Sequence, residues 1–131
     1  MNTLRITPHT DAIADHRLLL SWCGNCSALN FPPRAVCTEC GEAGEPVWKE
    51  ATGLGTLWSF STFHKRYDDS FPLPVPYTVA VIELDEGSKI YTNIVRSRPS
   101  ELQIGMSMRA EFTELAPGRT GLTFAPTTKD L

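Results

Sequence analysis

Cys23-Gly24-Asn25-Cys26 and Cys37-Thr38-Glu39-Cys40 are two C-x2-C pairs separated by ten residues, and the reading of this stretch decides the rest. A Cys-x-x-Cys turn points both sulfurs to one side. Two such turns facing each other therefore offer four thiolates at the corners of a tetrahedron, with metal–sulfur distances near ~2.3 Å. A four-thiolate site leaves no open coordination position, so a zinc held there folds a segment that lacks its own core and does not activate water. Disulfides are the expectation for a secreted chain, and a thioredoxin-like redox pair needs one C-x-x-C beside a βαβ unit, which this sequence lacks. Structural zinc is the expected occupant, and iron in a rubredoxin-like site stays chemically open.

Outward from the cysteines, the chain has 131 residues, with 12 Lys+Arg against 15 Asp+Glu and a formal net charge of -3. A chain of this length buries roughly 65–70% of the surface its unfolded form exposes, so a core forms without disulfides. No run approaches the ~20 apolar residues of a membrane span, and Met1 to Arg17 shows no basic stretch followed by an apolar one. A cytoplasmic address, with no membrane partner, is the default expectation. The mild acidity also counts against nucleic-acid binding, which concentrates positive charge to displace counterions from phosphates.

Three segments differ in character: a polar N-terminal segment (1–17), either loose or a short helix; a cysteine-bearing ribbon (18–50); and an alternating, Gly/Pro-punctuated region (51–131). Thr10-Asp11 is placed to cap a short helix through Asp15. Beyond residue 52 the pattern is β. Gly53 to Phe63 sets Leu54, Thr56, Trp58 and Phe60 on one face and Leu57, Ser59, Ser61 and Phe63 on the other. Tyr77 to Leu84 is apolar on both faces, and Asp85-Glu86-Gly87-Ser88 reads as a hairpin turn into Lys89–Val95. Met106 to Thr113 alternates, with Met106, Met108, Ala110 and Phe112 inward and Ser107, Arg109, Glu111 and Thr113 toward water. A fifth strand, Gly121 to Phe124, follows the turn at Pro117-Gly118. Five antiparallel strands with little helical periodicity suit a small closed barrel, because an open sheet would need its edges protected. The fold expected is mainly β, a rubredoxin-like zinc ribbon followed by a five-stranded OB-fold barrel, with an SH3-like barrel as the alternative.

Leu18-Leu19-Leu20-Ser21-Trp22-Cys23-x-x-Cys26, Phe31-Pro32-Pro33-Arg34, Cys37-x-x-Cys40-Gly41, Trp48, Gly53-x-Gly55-Thr56-Leu57-Trp58-Ser59-Phe60, Pro76-Tyr77-x-Val79-Ala80-x-Ile82-x-Leu84-Asp85-Glu86-Gly87 and Leu102-x-Ile104-Gly105-Met106 occur in this order. Together they resemble the zinc-ribbon OB-fold proteins associated with thiolases and acyl-CoA metabolism, over about residues 15–126. The resemblance implies a non-catalytic accessory subunit in a hetero-oligomer with a thiolase-like acyltransferase, thiolase or retro-aldolase, bracing its active site and sharing an acyl-CoA ligand with it. Two features depart from the family pattern. Ser27 stands where glycine usually follows the second cysteine, losing the residue that most easily takes φ > 0, and the helical segment before the ribbon is shortened.

Every cysteine is committed to metal on this reading, which leaves no nucleophile for thiolase or hydrolase chemistry. His9 and His16 lie in the polar N-terminus and read as solvated. His64-Lys65-Arg66-Tyr67 is the most basic stretch and opens into the long 68–76 connection, where it is either a solvated loop or a contact for coenzyme A phosphates or an acidic partner surface. Arg96 and Arg98 form a second, weaker basic pair of the same kind, and Arg34, following Pro32-Pro33, is placed to orient the ribbon by an ion pair or to reach acyl-CoA or the partner. Trp22, Trp48 and Trp58 are expected to fill core space, whereas Phe71 and Leu73, on a proline-punctuated connection, suit a partner surface.

Two other functions compete. Zinc ribbons and OB-folds recur in single-stranded nucleic-acid-binding modules, whose grooves combine aromatics with a basic track; here the barrel segment has eight basic against nine acidic residues. A four-cysteine iron site would make an electron carrier, red where zinc is colourless, and would leave the barrel without a purpose.

Overall fold

The computed structural model describes residues 7–65 and 74–127. The chain divides into two compact units, Met1–Thr52 and Gly53–Leu131.

In the first unit a short helix, α1 (Thr7–Ala14), precedes β1 (Leu19–Cys23), which pairs antiparallel with β2 (Pro46–Glu50) from Leu19 opposite Glu50 to Cys23 opposite Pro46. The helix starts three residues before the cap expected at Thr10. Pro8 sits in its first turn, where a missing N–H costs nothing, and the Thr10 hydroxyl donates back to the Thr7 carbonyl at 3.0 Å. His9 is not simply solvated: its Nδ1 lies 2.9 Å from the Leu19 carbonyl and its ring 4.9 Å from that of Phe31, which meets Trp48 edge-on at 6.2 Å. Among the described residues, Ala12, Leu18, Leu20 and Cys37 are the buried apolar residues here, a small core for 22 residues of loop between β1 and β2.

The second unit is a closed barrel of β3 (Leu54–Phe63), β4 (Tyr77–Leu84), β5 (Lys89–Ile94), β6 (Ser107–Ala116) and β7 (Arg119–Pro126), in the order β3-β4-β5-β7-β6 with β6 returning to β3. All pairings are antiparallel except β5 with β7, at Asn93–Thr123 and Ile94–Phe124. That crossover gives the Greek-key order of an OB-fold and removes the SH3-like alternative. Leu57, Ile82, Leu84, Met108 and Phe124 are essentially inaccessible, and each contributes roughly 1.5–3 kcal/mol on burial.

The strand expected over 53–63 forms, but not as one alternation. Leu57 faces Ile82 and Ser59 faces Val81, so Trp58 is an extra, bulged residue. Residues directly opposite in an antiparallel pair share a face. Phe60, opposite buried Ala80, therefore joins Leu57 rather than Leu54 and Thr56. Trp58 does not fill the core as expected: it is 52% exposed, with the Lys89 ammonium 5.0 Å over its ring.

The last two strands run further than the sequence pattern suggests, β6 to Ala116 and β7 from Arg119 to Pro126. Met106 precedes β6, and its sulfur receives the Gln103 N–H. Arg109 and Glu111, expected toward water, are half-buried. Glu111 accepts from Arg96 Nε at 3.0 Å and from Arg109 Nε at 3.1 Å. Burial pushes the Glu111 carboxyl up, but these two guanidinium groups outweigh it and hold it below the usual carboxylate range. A depressed folded value means stabilisation that is present above the unfolded carboxylate pKa and lost as pH falls through the folded one. Glu111→Gln is expected to cost about 0.5–1 kcal/mol in urea unfolding at pH 7, and the gap between the two proteins closes in acid.

Candidate metal centre

The loop between β1 and β2 is built from two copies of one turn, fourteen residues apart. In the first, the Cys23 N–H donates to the Ala28 carbonyl and the Ser27 N–H to the Cys23 carbonyl. In the second, Cys37 N–H donates to the Glu42 carbonyl and Gly41 N–H to the Cys37 carbonyl, with lengths of 2.8–3.0 Å in both turns. Single bridges close each turn, Trp22 with Leu29 and Val36 with Ala43. The turn requires a left-handed residue after its second cysteine, and Gly41 takes φ 77° while Ser27 takes φ 67°. Ser27 pays the steric cost of a Cβ in that region, about 1 kcal/mol. Ser27→Gly is therefore expected to raise the ribbon's stability by about 0.5–1 kcal/mol, less than the full strain because glycine loses more entropy on folding.

The two turns bring all four sulfurs within 4.8 Å of one another. Cys23 and Cys40 sulfurs are 3.7 Å apart, as are those of Cys26 and Cys37. An ideal tetrahedron with ~2.3 Å metal–sulfur bonds has edges of about 3.8 Å, so the four cysteines are positioned to bind a metal. Backbone N–H groups of Asn25 and Cys26 donate to Cys23 Sγ at 3.4 Å, and that of Glu39 to Cys37 Sγ at 3.3 Å. The Asn25 side-chain amide reaches Cys40 Sγ at 3.6 Å.

The backbone donors Cys26 and Asn25 lower the Cys23 thiol to about 6. The Ala28 N–H works in the same direction on Cys26, but desolvation and the sulfurs of Cys40, Cys37 and Cys23 outweigh it and push Cys26 up to about 12. Four thiolates this close repel one another, and a divalent cation at their centre is what lets all four ionise. Cys37 is buried and Cys26 exposed.

Of the other sequence candidates, Arg34 shares a cavity with Cys23 and Cys37, and the rest lie on the second unit. Arg34 is exposed and lines a cavity of about 270 Å³ in the ribbon, with Asn30 and Glu42 among its walls. His64 and Lys65 are exposed where β3 ends, and Arg98 is exposed beside η1 (Pro99–Glu101), a single 3-10 turn. Arg96 is exposed, with φ 60°, and paired with Glu111. Arg66, Tyr67, Phe71 and Leu73 lie outside the described residues. The role of Asn25 escapes a reading of the sequence, the only hint being an amide donor between two cysteines. No helix among the described residues is long and apolar enough to cross a membrane.

Comparison with known proteins places both units. A family model described as the rubredoxin-like zinc ribbon domain of ChsH2 matches residues 10–45, and one described as the C-terminal OB-fold domain of ChsH2 matches residues 48–113. A probable enoyl-CoA hydratase alpha subunit of Thermomonospora curvata is 33% identical over 88% of this chain, which spans 35% of that relative's length. A DUF35 domain-containing scaffold protein of Methanocaldococcus jannaschii is 34% identical over 71% of this chain and 65% of its own, and one of Methanothermobacter thermautotrophicus is 31% identical over 76% and 74%. Among solved structures, a chain of the "Ltp2-ChsH2(DUF35) aldolase" superposes with a TM-score of 0.84 at 30% identity, covering 96% of both chains. A DUF35-family protein of unknown function from Sulfolobus solfataricus shares the fold, with a TM-score of 0.60 at 15% identity.

Proposed function

The chain belongs to the ChsH2 family of zinc-ribbon and OB-fold proteins, also named DUF35, and on that premise we propose that it is a non-catalytic accessory subunit of an acyl-CoA-processing complex. It binds a thiolase-like subunit and braces that subunit's active site, in a hetero-oligomer. The observation that carries this reading is the likeness, along 96% of both chains, to a chain of the Ltp2-ChsH2(DUF35) aldolase. The scaffold names of the two archaeal relatives and the acyl-CoA name of the Thermomonospora relative point the same way.

The chemistry of the chain agrees with a supporting role. Its four cysteines converge on one another, as structural zinc ligands do, and once they hold a metal they supply no free nucleophile. Bound zinc would link the two turns and provide the stability that the ribbon's small core lacks. Arg34, His64, Lys65 and Arg96, with Arg66, Tyr67, Phe71 and Leu73 of the connection outside the described residues, are the proposed contacts with acyl-CoA or the partner.

Reconstitution tests this. The chain alone should show no thiolytic or aldolytic turnover of acyl-CoA thioesters, and adding it to its thiolase-like partner should raise the partner's rate. Turnover by the isolated chain, or a partner indifferent to its presence, contradicts the proposal. Salt-sensitive micromolar binding of single-stranded oligonucleotides would favour the nucleic-acid module instead.

A further inference from the structure

The two turns of the ribbon match in their backbone hydrogen bonds, and the residues at their third positions do not match in chemistry. Asn25 and Glu39 are equivalent: each backbone N–H donates to the sulfur of the cysteine two residues earlier, Cys23 at 3.4 Å and Cys37 at 3.3 Å. Only the first carries a side chain that continues the pattern. The Asn25 carboxamide donates to Cys40 Sγ, at 3.6 Å, across to the other turn. An ionised glutamate has no N–H to offer a sulfur.

One residue thus serves both ends of a single edge of the sulfur tetrahedron. Cys23 Sγ and Cys40 Sγ are 3.7 Å apart, and Asn25 donates its backbone N–H to one and its side-chain amide to the other. Cys23 ends β1, whereas Cys40 lies in the second turn, so this contact joins the two turns independently of the metal. A divalent ion with four thiolates carries a net charge of about -2, and N–H donors to the sulfurs spread that charge and orient the ligands.

We infer that Asn25 is a positioning residue of the metal centre, whose side-chain amide clamps the first turn to the Cys40 thiolate of the second and slows loss of the metal. The inference rests on the four cysteines holding a metal, and the test separates the two. Nothing in the chain's proposed partnership depends on it. The side chain is exposed, so replacing it removes the clamp without opening a core cavity.

The full chain, loaded with cobalt(II), is challenged with excess EDTA, and the sulfur-to-cobalt charge-transfer band is followed with time. Asn25→Ala is expected to shorten the half-time of cobalt loss about 10-fold, within the range for lost outer-shell partners. Asn25→Asp, equal in size but acceptor-only, should shorten it further. In both, the band shifts to longer wavelength because Cys40 loses a donor, a change that loosened packing alone would not produce. Glu39→Ala should stay within about twofold of the unaltered chain, since the glutamate side chain donates to no sulfur and alanine brings no donor. Cobalt held as long by both Asn25 variants, with the band unmoved, overturns the clamp, as does equal acceleration by Glu39→Ala. Unaltered chain that takes up no cobalt overturns the metal centre itself, and the clamp with it.

Discussion

Replacing Cys37 with serine, or stripping the metal with a chelator, is expected to unfold the ribbon as a unit and leave the barrel standing. Among the described residues, the ribbon buries the apolar Ala12, Leu18, Leu20 and Cys37, whereas the barrel buries Leu57, Ala80, Ile82, Leu84, Ile90, Ile94, Leu102, Met108, Phe124 and Ala125. Metal binding in small four-ligand modules is worth about 10 kcal/mol or more, whereas the two buried leucines contribute only about 3–6 kcal/mol between them and Ala12 and Cys37 less each. Hydrogen exchange followed by mass spectrometry reads this directly. Amides of β1 and β2 should lose protection on chelation while those of β4, β5 and β7 keep theirs. Protection of β1 and β2 that survives metal removal would show a ribbon stable on its own side chains.

Phe124→Ala is expected to cost about 3–5 kcal/mol, the largest single-residue effect in the barrel. Phe124 is wholly buried on β7, the strand that pairs with both β5 and β6, and its carbonyl accepts the Val95 N–H. The deletion therefore leaves a cavity at the seam between three strands. Tyr91→Ala, at a side chain 83% exposed on the neighbouring strand, should change stability by no more than about 0.5 kcal/mol. Urea unfolding followed by far-ultraviolet circular dichroism compares the two. Similar midpoints would mean that the core does not centre on Phe124.

These outcomes bear on how much of the molecule its residues disclose. The cysteine turns were legible because C-x2-C spacing is a geometric statement about where two sulfurs point. The β4 strand was legible to the residue, since Tyr77–Leu84 ends at a turn, Asp85-Glu86-Gly87-Ser88, with glycine at φ 109°. The face of Trp58 was not legible, because a bulge inserts one residue against the partner strand and reverses the phase, and only the partner reveals it. The helix starts before Thr10-Asp11, although that pair resembles a cap, because Pro8 is favoured in a first turn. Arg109 and Glu111 are on the outward phase of an alternating strand, and the second guanidinium on Glu111, that of Arg96, comes from a distant loop. The Asn25 contact joins residues fifteen apart, beyond any local pattern. The partner protein has no residue signature of its own and was legible only through the family resemblance.

The central claim is the partnership, and affinity purification of the tagged full chain from its native cell, followed by native mass spectrometry, tests it most directly. A stoichiometric complex with a thiolase-like protein, and one zinc per copy of this chain, is expected. A lone monomer, or a chain that brings nucleic acid with it, would contradict the accessory role.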